Sequence, residues 1–199
     1  MALTLNGSNN TIAGLAVGGL PDGSVDTDMI AASAVTAAKA NISGSIVNVA
    51  QVVKYDTAST GVAQGAYSEA LLSLSYAAAS SSNKLLIIAN CCVGTQTAAN
   101  VWSTLFINGS ASAFRGNADG NRQRVSSGSP ESGSATNVDE NTIVYLLSSP
   151  STSSVAYDVR AGHAQDATQN CYINRAHSDG DTSYTGRMAS SITILEVAA

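Results

Sequence analysis

Charge is what this sequence has least of. Aspartate, glutamate, lysine and arginine make up 12% of its 199 residues, about half the share found in ordinary soluble domains. Its cations are scattered, and only Arg122 and Arg124 lie close together. Duplex nucleic acid is thereby excluded as a main partner, because phosphate binding needs clustered lysine and arginine. Long hydrophobic runs are also missing: no stretch of 18 apolar residues could span a bilayer as a helix, so no membrane insertion is expected. The opening "MALTLNGSNN" has neither the basic start nor the apolar run of a secretory signal. On that reading the sequons at Asn6, Asn9, Asn41 and Asn108 arise by chance in an Asn/Ser-rich chain.

Cysteine is equally sparse. Cys91, Cys92 and Cys171 are an odd set with an adjacent pair, which is no disulfide framework. "IIANCCVG" reads as a strand, where neighbours point to opposite faces. One thiol of the pair is expected in the core, and the other against a second layer or a neighbouring subunit. These cysteines with the distant His163 and His177, both read as loop residues, make no metal cluster. Neither metal nor cofactor is expected. No G-x-S-x-G nucleophile elbow occurs. Asp119, Asp139, Glu140, Asp158, Asp179 and Asp181 sit in turn-like contexts where aspartate serves the backbone, rather than as the paired carboxylates of a glycosidase. "NADGN" and "SDGDTS" read as ordinary turns before calcium loops. The chain is read as no enzyme.

What is present is small and uncharged: glycine, alanine, serine, threonine and asparagine, with 44% hydrophobic residues and a net charge of −5. Disordered chains pair low hydrophobicity with high net charge, so this one is expected to fold. Up to about Ser45 the texture is glycine, alanine and short apolar clusters. "GGLPDGS" is a turn, and "DTDMIAASAVTAAKA" is at most one short helix, capped by Asp26 or Thr27. From Ile46 onward strand signals recur. "SEALLSLSYAAA" alternates, with Leu72, Leu74 and Tyr76 on one face. "TLFING" closes on Asn108-Gly109, a type I′ hairpin signal. Residues 115–141 read as a long exposed loop or hairpin. Trp102, within "NVWSTLFING", reads as core.

About eight short strands at regular spacing predict an all-β chain with a C-terminal antiparallel β-sandwich of the jelly-roll kind over 46–199, preceded by an extended N-terminal arm over 1–45. The few large apolar side chains of the arm cannot be buried by a thin segment alone, and ordering its backbone opposes folding. The arm is therefore expected to dock, through Leu15, Val17, Leu20, Met29 and Ile30. In the terminal "SSITILEVAA", Ile192 and Ile194 share one face and Leu195 and Val197 the other. An interface between subunits and a core position explain such a strand equally well.

The order of these segments resembles bacteriophage tail fibre and spike proteins, notably of cyanophages. The resemblance rests on "GLAVGGLPDGSVDTDMIAASAVTAAK" and then on "VVKYDT", "SSSNKLLI", "TLFING", "SSPSTSSVAYDVRAG", "YINRA" and "SSITILEVA". It runs from about Gly14 to Ala198 and fails in the 115–141 loop. It implies a head similar to the tumour-necrosis-factor and C1q jelly rolls, which form homotrimers. It also implies a structural role at the surface of a virion assembled in the host cytoplasm, as a short tail fibre or as a capsid decoration (cement) protein. The expected partners are two further copies, with Ile192, Ile194, Leu195 and Val197 as interface, and the capsid shell or a tail adaptor. A host polysaccharide would be met by Arg115, Arg122 and Arg124. A dedicated receptor- or glycan-binding module is the alternative.

Overall fold

The computed structural model describes residues 42–96, 100–129, 136–165, 167–183 and 185–199, and the backbone of two short strands before them. The chain divides into two units, Met1–Asn41 and Ile42–Ala199. In the first, β1 (Thr4–Asn6) pairs antiparallel with β2 (Thr11–Ala13), Thr4 opposite Ala13. The expected short helix and the docking residues Leu15, Val17, Leu20, Met29 and Ile30 lie outside the described residues.

The second unit is built from β3 (Ile46–Lys54), β4 (Ala58–Val62), β5 (Leu72–Tyr76), β6 (Lys84–Thr95), β7 (Val101–Ile107), β8 (Ser110–Ala111), β9 (Ser127–Ser129), β10 (Asp139–Ser148), β11 (Val155–His163), β12 (Gln169–Ile173) and β13 (Ser190–Val197). No helix occurs among the described residues. One sheet runs β3-β13-β6-β12-β4, and the other runs β5-β11-β7-β8 with β9 also on β7. Along β6, β13 and β12 share one edge end to end, while β10 occupies the other. Every pairing is antiparallel. The all-β expectation holds: this is an antiparallel β-sandwich.

Period-two patterning explains the core. Leu72, Leu74 and Tyr76 of β5 point inward, with Ser73 and Ser75 outward. Across the sandwich they face Leu85, Ile87, Ala89, Cys91 and Val93 of β6 and Ile192 and Ile194 of β13 in one contiguous cluster with Tyr157, Val159 and Leu105. Each fully buried aliphatic or aromatic side chain contributes about 1.5–3 kcal/mol. The hairpin between β7 and β8 turns on Asn108 (φ 50°) and Gly109 (φ 76°), the left-handed pair that a type I′ turn requires. Residues 115–141 are not all loop. They supply β9, and β10 already begins at Asp139.

One buried carboxylate fixes an end of the sandwich. Glu196 follows the inward phase of β13 and is fully buried. It accepts from the Tyr76 hydroxyl and Asn83 Nδ2, each at 2.6 Å, from Ala79 N at 2.9 Å, and from Ser80 N at 3.4 Å. Burial alone would raise its pKa, but these bonds reverse that and hold the carboxyl below the usual glutamate value. Burial, with the bond to Glu196 and its charge, pushes the Tyr76 hydroxyl up to about 12. Beside this knot the entering chain meets the leaving one. Gly44 N donates to Ala198 O and Ala198 N to Ser45 O, both at 2.9 Å.

Candidate functional site

The two outer faces of the sandwich differ in kind. On the β5-β11-β7 sheet, Phe106 of β7 is covered by Tyr67, edge-on at 5.1 Å, and by the Arg160 guanidinium at 4.5 Å. The 112–126 segment is tied to the same region: the Tyr67 hydroxyl donates to Arg124 O at 2.6 Å, and Gln123 Nε2 to Ala66 O at 3.2 Å. Leu105 N donates to the Ser126 hydroxyl at 3.1 Å. This face has a lid made of its own chain.

The β3-β13-β6-β10 face has large apolar groups in solvent instead. The register sets them in rows across four strands. Val49, Leu195, Leu86 and Leu146 form one row, and Gln51, Thr193, Ile88 and Val144 the next. Val53, Ser191, Asn90 and Thr142 follow on one side, and Ile46, Val197, Lys84 and Ser148 on the other. Val49 is 58% exposed, Val144 53% and Leu146 49%. With strands about 4.8 Å apart and same-face residues about 6.8 Å apart, the four rows, apolar and polar positions together, cover on the order of 300 Å². The largest apolar patch on a typical monomer is about 300–600 Å², and such a patch is often functional. Polar pairs interrupt this face and edge it: Gln51 Nε2 donates to the Thr193 hydroxyl at 2.8 Å within the second row, and Asn90 Nδ2 to Glu140 Oε1 at 2.9 Å at one end.

The residues expected at an interface separate here. Leu195 and Val197 lie on this outer face, half-buried. Ile192 and Ile194 are fully buried in the chain's own core and have no surface left for a neighbour. The outward set instead includes Val49, Leu86, Ile88, Val144 and Leu146, which the sequence reading left out. Their positions two apart on strands already recognised were the available signal.

Other expected positions also moved. Trp102 is half-buried on the outer face of β7, not in the core, because the inward phase there belongs to Val101, Ser103 and Leu105. Cys91 and Cys92 are both buried, Cys92 because β13 and the Ala189 carbonyl, 3.6 Å from its sulfur, cover it. Burial pushes the Cys91 and Cys171 thiols up to about 12. His163 is not a loop residue but the buried end of β11. Its Nε2 bonds Val62 O at 2.7 Å and its Nδ1 accepts from Gln165 N at 3.1 Å, which assigns the Nε2–H tautomer. Asp139 and Glu140 in β10 and Asp158 in β11 are strand residues rather than turn residues; Glu140 accepts from Asn90 Nδ2, and Asp158 from the Ser73 hydroxyl at 2.6 Å.

The arginines read as receptor-facing all lie on the 112–126 segment. Arg115 Nε donates to Ser112 O at 2.7 Å and Arg124 Nε to Gly116 O at 2.6 Å, so both brace the segment. Arg122 is exposed and pairs with Asp119 at 2.5 Å. Asp158 pairs with Arg160 at 3.3 Å and Asp179 with Arg187 at 2.6 Å. A recess of about 340 Å³ is lined by Asp179, Gly180, Asp181, Thr182, Thr185 and Arg187. Among the described residues, no three histidine, cysteine, aspartate or glutamate side chains gather as a metal site. No protein-family model matches the chain, and no curated protein matches it either.

Proposed function

We propose that this chain is a structural component of a phage virion: a homotrimeric short fibre or spike on the particle surface, serving as a tail fibre or as a capsid decoration protein. The observation that carries the reading is the apolar face of β3, β13, β6 and β10. A second copy is its occupant. A face near 300 Å², apolar and polar positions together, is the right size for the centre of an interface that, with its polar edge, reaches the roughly 800 Å² per partner of stable complexes. The resemblance to trimeric phage heads supplies the number of copies and the setting. The N-terminal unit then serves as the attachment to capsid shell or tail adaptor, and the braced 112–126 segment, with Arg122 exposed on it, meets host polysaccharide.

Light scattering of the purified chain tests this. The expected mass is three times the 20.1 kDa of one chain. V144E combined with L146E places charges in the patch without touching the core, and it is expected to give a folded monomer. A wild-type monomer at micromolar concentration overturns the reading. Copy number in purified particles then assigns the location: tens to hundreds of chains mean capsid decoration, and a small set means a tail.

A further inference from the structure

The lidded face of the sandwich holds a second feature. On the outer side of β11 and β7, Arg160 is opposite Thr104, and Gly162 is opposite Trp102. Four polar atoms in this area are shut off from solvent and have no hydrogen-bond partner among the described residues: Thr104 Oγ1, Arg160 Nε, Trp102 Nε1 and Gln123 Oε1. Thr104 is fully buried. Two register rows on one strand face lie about 6.8 Å apart, so the side chains of Thr104, Arg160 and Trp102 leave adjacent rows of one face. Trp102 Nε1 and the Ala66 carbonyl both crowd the outer side of Gly162. The same carbonyl accepts from Gln123 Nε2, which brings the Gln123 amide to the indole.

We propose that this seam, between the β5-β11-β7 sheet and its cover of residues 63–71 and 112–126, is a binding site for ordered water. The chemistry of the four atoms selects that ligand. Indole and guanidinium N–H groups only donate, an amide oxygen only accepts, and a threonine hydroxyl does both. A ligand between Trp102 Nε1 and Gln123 Oε1 has to accept and donate at once, which excludes an apolar group and a bare cation there. An anion is disfavoured because Asp158 already balances Arg160 at 3.3 Å. Water takes two to four such partners in buried sites. One molecule accepts from Trp102 Nε1 and donates to Gln123 Oε1 or to the free lone pair of Ala66 O. A second accepts from Arg160 Nε and exchanges a bond with Thr104 Oγ1. The water thereby joins the 112–126 segment to the sheet.

Two measurements on the full-length protein decide it. Trp102 is the only tryptophan, so its indole N–H signal is assigned without ambiguity. A cross-relaxation peak between that proton and a long-lived water is expected by NMR. Thr104→Val keeps the side-chain shape and deletes the hydroxyl. With water bound it strands the water and Arg160 Nε, and the melting temperature falls by several degrees. In a dry seam the same change removes an unpaired buried hydroxyl, and the melting temperature stays or rises. A missing water cross-peak, or a T104V protein at least as stable as wild type, overturns the proposal.

Discussion

Replacing Glu196 with glutamine tests the buried carboxylate that ties β13 to the turn after β5. The substitution keeps the size and removes the charge. In the native protein one carboxylate serves four donors: the Tyr76 hydroxyl, the Asn83 amide and the backbone N–H groups of Ala79 and Ser80. A glutamine side chain offers one oxygen with two lone pairs, and its NH₂ meets donors where an oxygen stood. The Tyr76 hydroxyl can reverse and accept, which relieves one clash. At least one buried donor is left unpaired, at about 1–3 kcal/mol, and the remaining bonds lose charge assistance. The expected destabilisation is about 2–4 kcal/mol, or roughly 5–15 °C in melting temperature for a unit of this size. The sign with pH follows from the lowered carboxyl. A group whose folded pKa lies below its unfolded value of 4.5 contributes stability above that value and loses it as pH falls further. Wild type should therefore weaken below about pH 4.5 more steeply than E196Q. Urea unfolding at pH 7 and at pH 3.5 reads both effects, and a cycle with Y76F isolates the shared bond. An E196Q protein within 0.5 kcal/mol of wild type at pH 7 would refute the reasoning.

Alkali should act on the same pair from the other side: the Tyr76 hydroxyl is raised to about 12, so the stability it contributes is intact below pH 10 and fades between 10 and about 12, which Y76F abolishes in a pH titration of urea midpoints. Gly162→Ala should cost about 1–3 kcal/mol and shift the emission of the single tryptophan, because an added Cβ falls 2.7 Å from Trp102 Cδ1, closer still to its Nε1, and 3.2 Å from Ala66 O. Wild-type-like melting and fluorescence would count against that contact. Cys91 and Cys171 should resist thiol reagents in the native protein and react on unfolding, since both are fully buried and their pKa values stand near 12. Fast native labelling of either, read by mass spectrometry of tryptic peptides, would contradict the burial.

The sandwich was legible wherever alternation was strict. Leu72, Leu74 and Tyr76 were assigned to one face by spacing alone, and Asn108-Gly109 announced its own turn. The terminal strand was harder. Ile192 and Ile194 alternate with Leu195 and Val197, and both sets are apolar, so period two gives two phases without saying which points inward. The buried carboxylate decides it, because Glu196 shares the phase of Ile192 and Ile194, but its partners lie more than a hundred residues earlier in the chain. No local pattern carries that pairing. β4, "ASTGV", went unread because four of its five residues are small or polar and it stays a strand through its ladder with β12. The exposed patch was hidden for a related reason. Val49, Leu86 and Leu146 become one surface only when three separated strands are placed in register.

The hydrogen bonds of Gly44 and Ser45 with Ala198 place the start and finish of the second unit side by side. A circular permutant should therefore be within reach: a few residues joining Ala199 to Ile42 would close the ring, and new ends could be opened at the Asn108-Gly109 tip, where both residues are exposed. Any cargo fused to Ala199, by the same geometry, would emerge beside the point where the chain enters the second unit.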